Sequence, residues 1–193
     1  MNDTELNEVH KLGEILAESF AGTNKVYAPA VYNDLAASGT GDTWKEIAGQ
    51  LFVLMATDKG QQRRECIWDD KLANIAFRRA HDMLNRNYFS HTDPDGNGPN
   101  FYARLHGYKL PGHYHTHHAA NNIESIGLNY KTPETCWQGW LNSAGHRAHV
   151  LGEIDFYAQQ THIGMAFVAG TELINGHYGP RYWVVLSAPP MEN

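Results

Sequence analysis

IGMAFVAG, residues 163–170, and RYWVVLSA, residues 181–188, are dense in β-branched and aromatic residues, and they decide the fold class. A loop containing Asn175-Gly176 and Gly179-Pro180 joins them, so two adjacent antiparallel strands are predicted. Everything upstream has a different period. Helices come first and strands last, without βαβ alternation, which points to an α+β layer architecture rather than a parallel sheet.

Working back toward the N-terminus, Thr132-Pro133-Glu134 is a helix start, with Cys136, Trp137, Trp140 and Leu141 on the face to be buried. The spacing predicts that Gly145 ends this helix and hands the chain to His146. Pro99 opens a short helix, FYARLH, which Gly107 closes in the left-handed conformation. A longer helix capped by Asp69 or Asp70 carries Leu72, Ile75, Ala76, Ala80, Met83 and Leu84 on one side and ends in the asparagines of NRN. Thr43 and Glu46 form a capping box ahead of IAGQLFVLMA, a helix ending near residues 58–61. Leu6, Val9, Leu12, Ile15, Leu16 and Phe20 mark an amphipathic helix over about residues 4–20, followed by a connecting segment.

The 193 residues suit a domain able to bury a core without metal or disulfide staples. Twenty-one acidic against fifteen basic residues leave a formal charge of −6, with no basic run to neutralise phosphates, which argues against nucleic acid as a partner. The longest wholly apolar run, LFVLMA at 51–56, is far short of the ~20 residues of a membrane-spanning helix. The first twenty residues carry acids where a signal peptide has bases, so they show no secretory address, and a cytoplasmic location stays open. Cys66 and Cys136 lie in no metal-ligand spacing and read as two buried thiols, with a single bridge as the alternative.

Candidate chemistry gathers around FSHTDPDGNGP, residues 89–99. Asp93, Asp95, Asn97 and Gly98 match the opening of a calcium loop, but its twelfth position is Arg104, where a bidentate Glu is needed. A turn stabilised by local Asp side chains explains these residues better, and leaves His91 unexplained. His91, Glu124 and His146 are best taken as a set. Two neutral imidazoles and one carboxylate suit zinc, with a fourth position for water.

RRAHDMLNRNYFSHTDPDG, ESIGLNYKTPE, WQGWLNSAGHRAHVLG, THIGMAFVAG and YWVVLSAP follow one another in an order and near-spacing that resembles the CAP superfamily. That superfamily includes cysteine-rich secretory proteins, antigen 5 and plant pathogenesis-related proteins; the closest likeness is to its bacterial SCP-like branch, over about residues 50–188. The resemblance implies a three-layer α-β-α sandwich with a central antiparallel sheet, and a cleft lined by two His and two acids. It divides the chain into an N-terminal helical extension, 1–48, and a CAP domain, 49–193. His91 and His146 fall on the two cleft histidines. Glu124 falls on the first acid if ESIG is aligned with the family's acidic segment; the alternative, Asn121-Asn122-Ile123, puts an amide there. The second acid falls on Ser143, a poor metal ligand. EIDFYAQQ, residues 153–160, holds about five residues beyond the bacterial pattern and is expected as a surface insertion.

HYHTHH, residues 113–118, lies in the variable stretch before Glu124. In an extended chain His113, His115 and His117 share one side, as a metal chelate or an extension of the cleft; the alternative is solvated loop histidines. The resemblance implies an extracellular or envelope binding module, with a divalent metal, zinc first, or a small polar or lipid-like ligand or envelope component in the cleft. The competing expectation is a zinc-dependent hydrolase using His91, Glu124 and His146. It lacks an HExxH helix, and Asp93 or Asp95 is the substitute base to be tested.

Overall fold

In the computed structural model, residues 25–27, 43–170 and 179–191 are described. In chain order the elements are β1 (Lys25–Tyr27), α1 (Thr43–Ala56), β2 (Glu65–Trp68), α2 (Asp70–Asn85), α3 (Pro99–Leu105), β3 (Glu124–Leu128), α4 (Pro133–Leu141), α5 (Ala144–Leu151), α6 (Asp155–Ala158), β4 (His162–Ala169) and β5 (Arg181–Ala188). The expected helix at 4–20 and the Asn175-Gly176 turn lie outside the described residues.

The two sequence-predicted strands pair antiparallel, from His162 opposite Ala188 to Ala169 opposite Arg181. On the other side of β5 lies β3, also antiparallel, with Glu124 opposite Leu186. The sheet order is β1-β2-β4-β5-β3. Its antiparallel part therefore spans three strands, and a parallel edge extends it, with Ile67 of β2 beside His162 and β1 beside β2. A domain boundary at 48/49 would run through α1, whose Ala48, Leu51, Phe52 and Met55 are all fully buried.

Alternation along the strands builds a core on each face of the sheet. Ile163 and Met165 of β4 and Trp183 and Val185 of β5 pack with α1, α4 and α5. Ala166, Val168, Tyr182, Val184 and Leu186 face the other way, onto α2 and Ala103 of α3. Each large apolar side chain buried in these cores contributes about 1.5–3 kcal/mol. The result is the expected α-β-α layering.

Helix α2 lies very close to the sheet. Asp69 caps it by accepting from Leu72 N at 2.9 Å, while Asp69 N donates to Ile163 O of β4 at 2.8 Å. The approach requires Gly164, because a Cβ there would collide with the backbone of Leu72 and Ala73. Helix α4 starts at Pro133 after the N-cap Thr132, and Gly107 has φ +78° after α3, both as the sequence indicates; Thr135 adds a capping box with Thr132.

One helix boundary differs from expectation. Helix α4 stops at Leu141 with Asn142 as its C-cap, and after Ser143 the chain re-enters helix, so Gly145 and His146 lie inside α5. The break is a single extended residue, Ser143, with φ −106° and ψ 116°. His146 thus stands on a helix, three residues before His149. The 153–160 segment also departs from a plain surface insertion: it forms α6, and Gln160 at its end is fully buried.

Candidate functional site

Arg79 organises the site. It lies on the buried face of α2 among Ile75, Ala76, Ala80 and Met83, where an isolated charge would be costly. Its Nε donates to Glu124 Oε2 at 3.1 Å and one terminal nitrogen lies 3.5 Å from Oε1. The same nitrogen donates to the carbonyls of Ser90 at 3.2 Å and His91 at 2.9 Å; the other donates to Tyr88 Oη at 2.9 Å. Tyr88 passes the chain on to Asp82 at 2.6 Å. One guanidinium therefore fixes both the acid and the backbone of the loop that bears His91.

Glu124 is the first residue of β3, and Asn121 sets its position. Asn121 Oδ1 accepts from the amides of Ile123 and Glu124, and Asn121 Nδ2 donates to Glu124 O. It is Glu124, and not the Asn121-Asn122-Ile123 segment, that meets His91: Oε1 lies 3.0 Å from His91 Nδ1. The Glu124 side chain has 0% exposure, whereas that of His91 has 41%.

Burial pushes the Glu124 carboxyl upward, but the Arg79 charge and the hydrogen bonds from His91 and Arg79 outweigh it and leave the pKa below its ordinary value. Burial likewise pulls on Arg79 and is overcome by the charge and hydrogen bond of Glu124, so the guanidinium stays charged. An ionised carboxylate only accepts, so Nδ1 of His91 carries the proton and Nε2 presents a lone pair. His146 is half-buried, with its ring centroid 6.4 Å from that of Trp140. Desolvation lowers its pKa, and a positive charge on His91, when that ring is protonated, lowers it further.

Other predicted residues have different duties. Asp93 is buried, its Oδ1 accepting from the amides of Asp95 and Asn97 at 2.8 Å each, and its Oδ2 taking the hydroxyl of Tyr102. Asp95 pairs with Arg86 at 2.8 Å. The Asp93 carboxylate thus serves the turn, as the reading against calcium anticipates. Ser143 is the N-cap of α5 and makes no side-chain capping bond. Arg147 pairs with Glu153 at 2.9 Å. Trp137 and Trp140 are core.

By donor type, the imidazoles of His91 and His146 suit a divalent metal. Glu124 does not fit as a third ligand: it is sealed, and Arg79 and His91 engage both its oxygens. It fits as the carboxylate that orients a histidine ligand from behind. Among the described residues no group of three or more His, Cys, Asp and Glu is arranged to hold an ion.

A second polar cluster, on the opposite face of the sheet, centres on His149. His149 is buried, with Nδ1 2.7 Å from Ser125 Oγ and Nε2 2.7 Å from Ser187 Oγ. Ser187 donates to Gln160 Oε1 at 2.6 Å, so it accepts from His149 Nε2, and Ser125 donates to Nδ1. Arg63, 1% exposed, donates to the carbonyls of Gln160, Val150 and His149. Desolvation lowers its pKa to about 10, with Cys66 and Tyr114 opposing that fall. Nothing in the order of residues around Arg63 signals burial; the only hint was His149, one helical turn beyond His146.

Comparison with known proteins places this geometry. Residues 60–186 match the family model CAP, the cysteine-rich secretory protein family. The protein YkwD of Bacillus subtilis (strain 168) is 32% identical over 102 residues, which are 52% of this chain and 34% of that one. The membrane protein YlbC of the same organism is 34% identical over 98 residues, 51% of this chain and 24% of that one. The chain thus spans about a third and a quarter of these relatives. Among solved structures, an extracellular protein of Bacillus anthracis str. Ames that contains an SCP domain superposes with a TM-score of 0.55 at 20% identity, covering 80% of this chain and 45% of that one. An outer surface protein of Borrelia burgdorferi superposes with a TM-score of 0.53 at 15% identity, over 75% and 90%. At these identities the likeness concerns the fold alone.

Proposed function

This chain belongs to the cysteine-rich secretory protein (CAP) family, and from that premise we propose that it is a binding module whose ligand meets the imidazoles of His91 and His146. One observation carries the reading: Glu124, sealed and held ionised by Arg79, accepts from His91 Nδ1 and so turns the lone pair of Nε2 outward. With His146 Nε2 or Nδ1 as its companion, the pair suits a borderline divalent metal, zinc first, or a polar group of a small or lipid-like ligand. Solved proteins of the same fold are described as extracellular and outer surface proteins, and an envelope or extracellular setting is proposed for this chain too.

Binding is favoured over hydrolysis by the commitments of the acids. A metal-bound water needs a base within reach, and Glu124 is occupied by Arg79 and His91, while Asp93 is occupied by its own turn and Tyr102.

The test is zinc calorimetry on the full chain purified without a tag or metal column, with His115→Ala/His117→Ala as background. Adding His91→Ala/His146→Ala is expected to abolish the remaining equivalent. Retention of that equivalent would overturn the metal reading. Ester or peptide turnover that disappears with both chelator and Glu124→Gln would replace binding by catalysis.

A further inference from the structure

The histidines of HYHTHH divide into two groups. His118 is engaged: Nδ1 lies 3.0 Å from Asn97 Oδ1, and its ring stacks on Phe101 with centroids 5.1 Å apart. His113 lies edge-on to Tyr114 at 4.9 Å and to Phe156 at 6.3 Å. His115 and His117 are both exposed and lie beside each other, with ring centroids 5.8 Å apart and planes inclined by 40°.

We propose that His115 and His117 form a two-imidazole surface site for a divalent transition-metal ion of the copper(II) class, separate from the His91–His146 cleft.

Geometry sets the first condition. A metal sits about 2.0–2.1 Å from an imidazole nitrogen, which puts it about 3.2 Å from the ring centroid. Two rings sharing one ion then have centroids between about 4.5 Å, for ligands at a right angle, and about 6.4 Å, for opposed ligands. The observed 5.8 Å falls inside this interval.

The second condition is that the backbone carrying the rings be held before the ion arrives, and this one is. Tyr114 is buried, its hydroxyl accepting from Gln160 Nε2 at 2.9 Å. Arg104 donates to the carbonyls of Tyr114 and His115, each at 3.1 Å. Asn100 donates to His115 O at 2.9 Å, and His115 N donates to Asn122 Oδ1 at 3.0 Å. Two residues on, His117 O accepts from Ala120 N at 3.0 Å. Both Cα positions are therefore anchored, and only side-chain torsions remain to be ordered on binding, which limits the entropic cost.

Chemistry selects the ion. Two neutral imidazoles with water completing the shell bind copper(II) more strongly than nickel, cobalt or zinc, following the general order of divalent affinities. The half-buried Arg104 cation opposes an incoming metal, but both its terminal nitrogens are engaged by the carbonyls of His115 and Tyr114, which offset part of its charge. Because imidazole must be deprotonated to coordinate, affinity falls with acid.

Copper(II) alone, in a non-coordinating buffer, is the probe, titrated into the full untagged chain by calorimetry and followed by electron paramagnetic resonance. His115→Ala/His117→Ala is expected to weaken one equivalent by on the order of 10²-fold, the advantage of a second ligand held at high local concentration. That equivalent should survive in His91→Ala/His146→Ala and in His113→Ala/His118→Ala, and its spectrum should carry two imidazole nitrogens. Unchanged copper affinity in His115→Ala/His117→Ala, or a spectrum with one nitrogen, overturns the proposal. Because the cleft variant is titrated separately, failure of this site and failure of the cleft give different results.

Discussion

Arg79 and Glu124 form an ion pair sealed from solvent, with Nε 3.1 Å from Oε2 and side-chain exposures of 1% and 0%. Removing one partner strands the other as a buried charge. Glu124→Gln should cost about 3 kcal/mol or more in urea unfolding, and the apolar double replacement Arg79→Met/Glu124→Leu should recover most of that loss. A single variant within about 0.5 kcal/mol of wild type would mean that solvent reaches the pair. Nitrogen NMR adds an independent check, because loss of the carboxylate should release the His91 proton from Nδ1.

His149 predicts an acid-labile fold. Desolvation, then the charges of Arg63, His146 and His91, hold its pKa well below the ordinary 6.5. Ser125, Ser187 and the ring of Tyr157 complete its surroundings. The unfolded chain takes up this proton and the folded one does not, so stability is intact above pH 6.5 and falls below it, by up to about 1.4 kcal/mol per pH unit. Glu124, whose folded pKa is also lowered, adds its own loss only below its ordinary 4.5. His149→Gln should flatten the dependence between pH 6.5 and 5 in denaturant midpoints; an unchanged slope would remove His149 as its source.

Two glycines offer a paired test of the close approach between α2 and the sheet. Gly164→Ala drives a methyl group into the backbone of Leu72 and Ala73, and a loss of about 3 kcal/mol or more is expected. In α5, a methyl group on Gly145 meets no atom within 4 Å, and Gly145→Ala should stabilise by about 0.5–1 kcal/mol through helix propensity. Thermal melts of the two variants should move in opposite directions.

Cys66 and Cys136 are free and buried in the same core. Desolvation raises both thiol pKa values, that of Cys66 to about 11. The native protein should therefore resist an aromatic disulfide reagent at pH 8 and release two equivalents once unfolded. Rapid titration of a native thiol would contradict this packing.

Helices α2 and α4 and strands β4 and β5 were legible because each buries a regular stripe or an alternating face. β3 was not: ESIGL is buried over its first four residues yet contains Glu and Ser, so neither alternation nor an apolar run marks it. The Ser143 break was too short to separate α5 from α4. His91, Glu124 and His146 become candidates through motif order, and of the three the structure joins His91 to Glu124. Arg79 and Arg63 went unnoticed, since an arginine among apolar residues ordinarily reads as solvated, and only the three-dimensional meeting with Glu124 or with three carbonyls shows otherwise.

The start of β3 has a consequence for threading. Glu124 stands opposite Leu186 and faces Arg79, while Ser125 stands opposite Val185 and faces His149. A slip by one residue exchanges the two sides, bringing a hydroxyl to the Arg79 cation and a carboxylate to the compartment that holds His149. Correct alignment of this strand is thus encoded in ionic bookkeeping as well as in oiliness, and a misregistered sheet is penalised where the two layers first close.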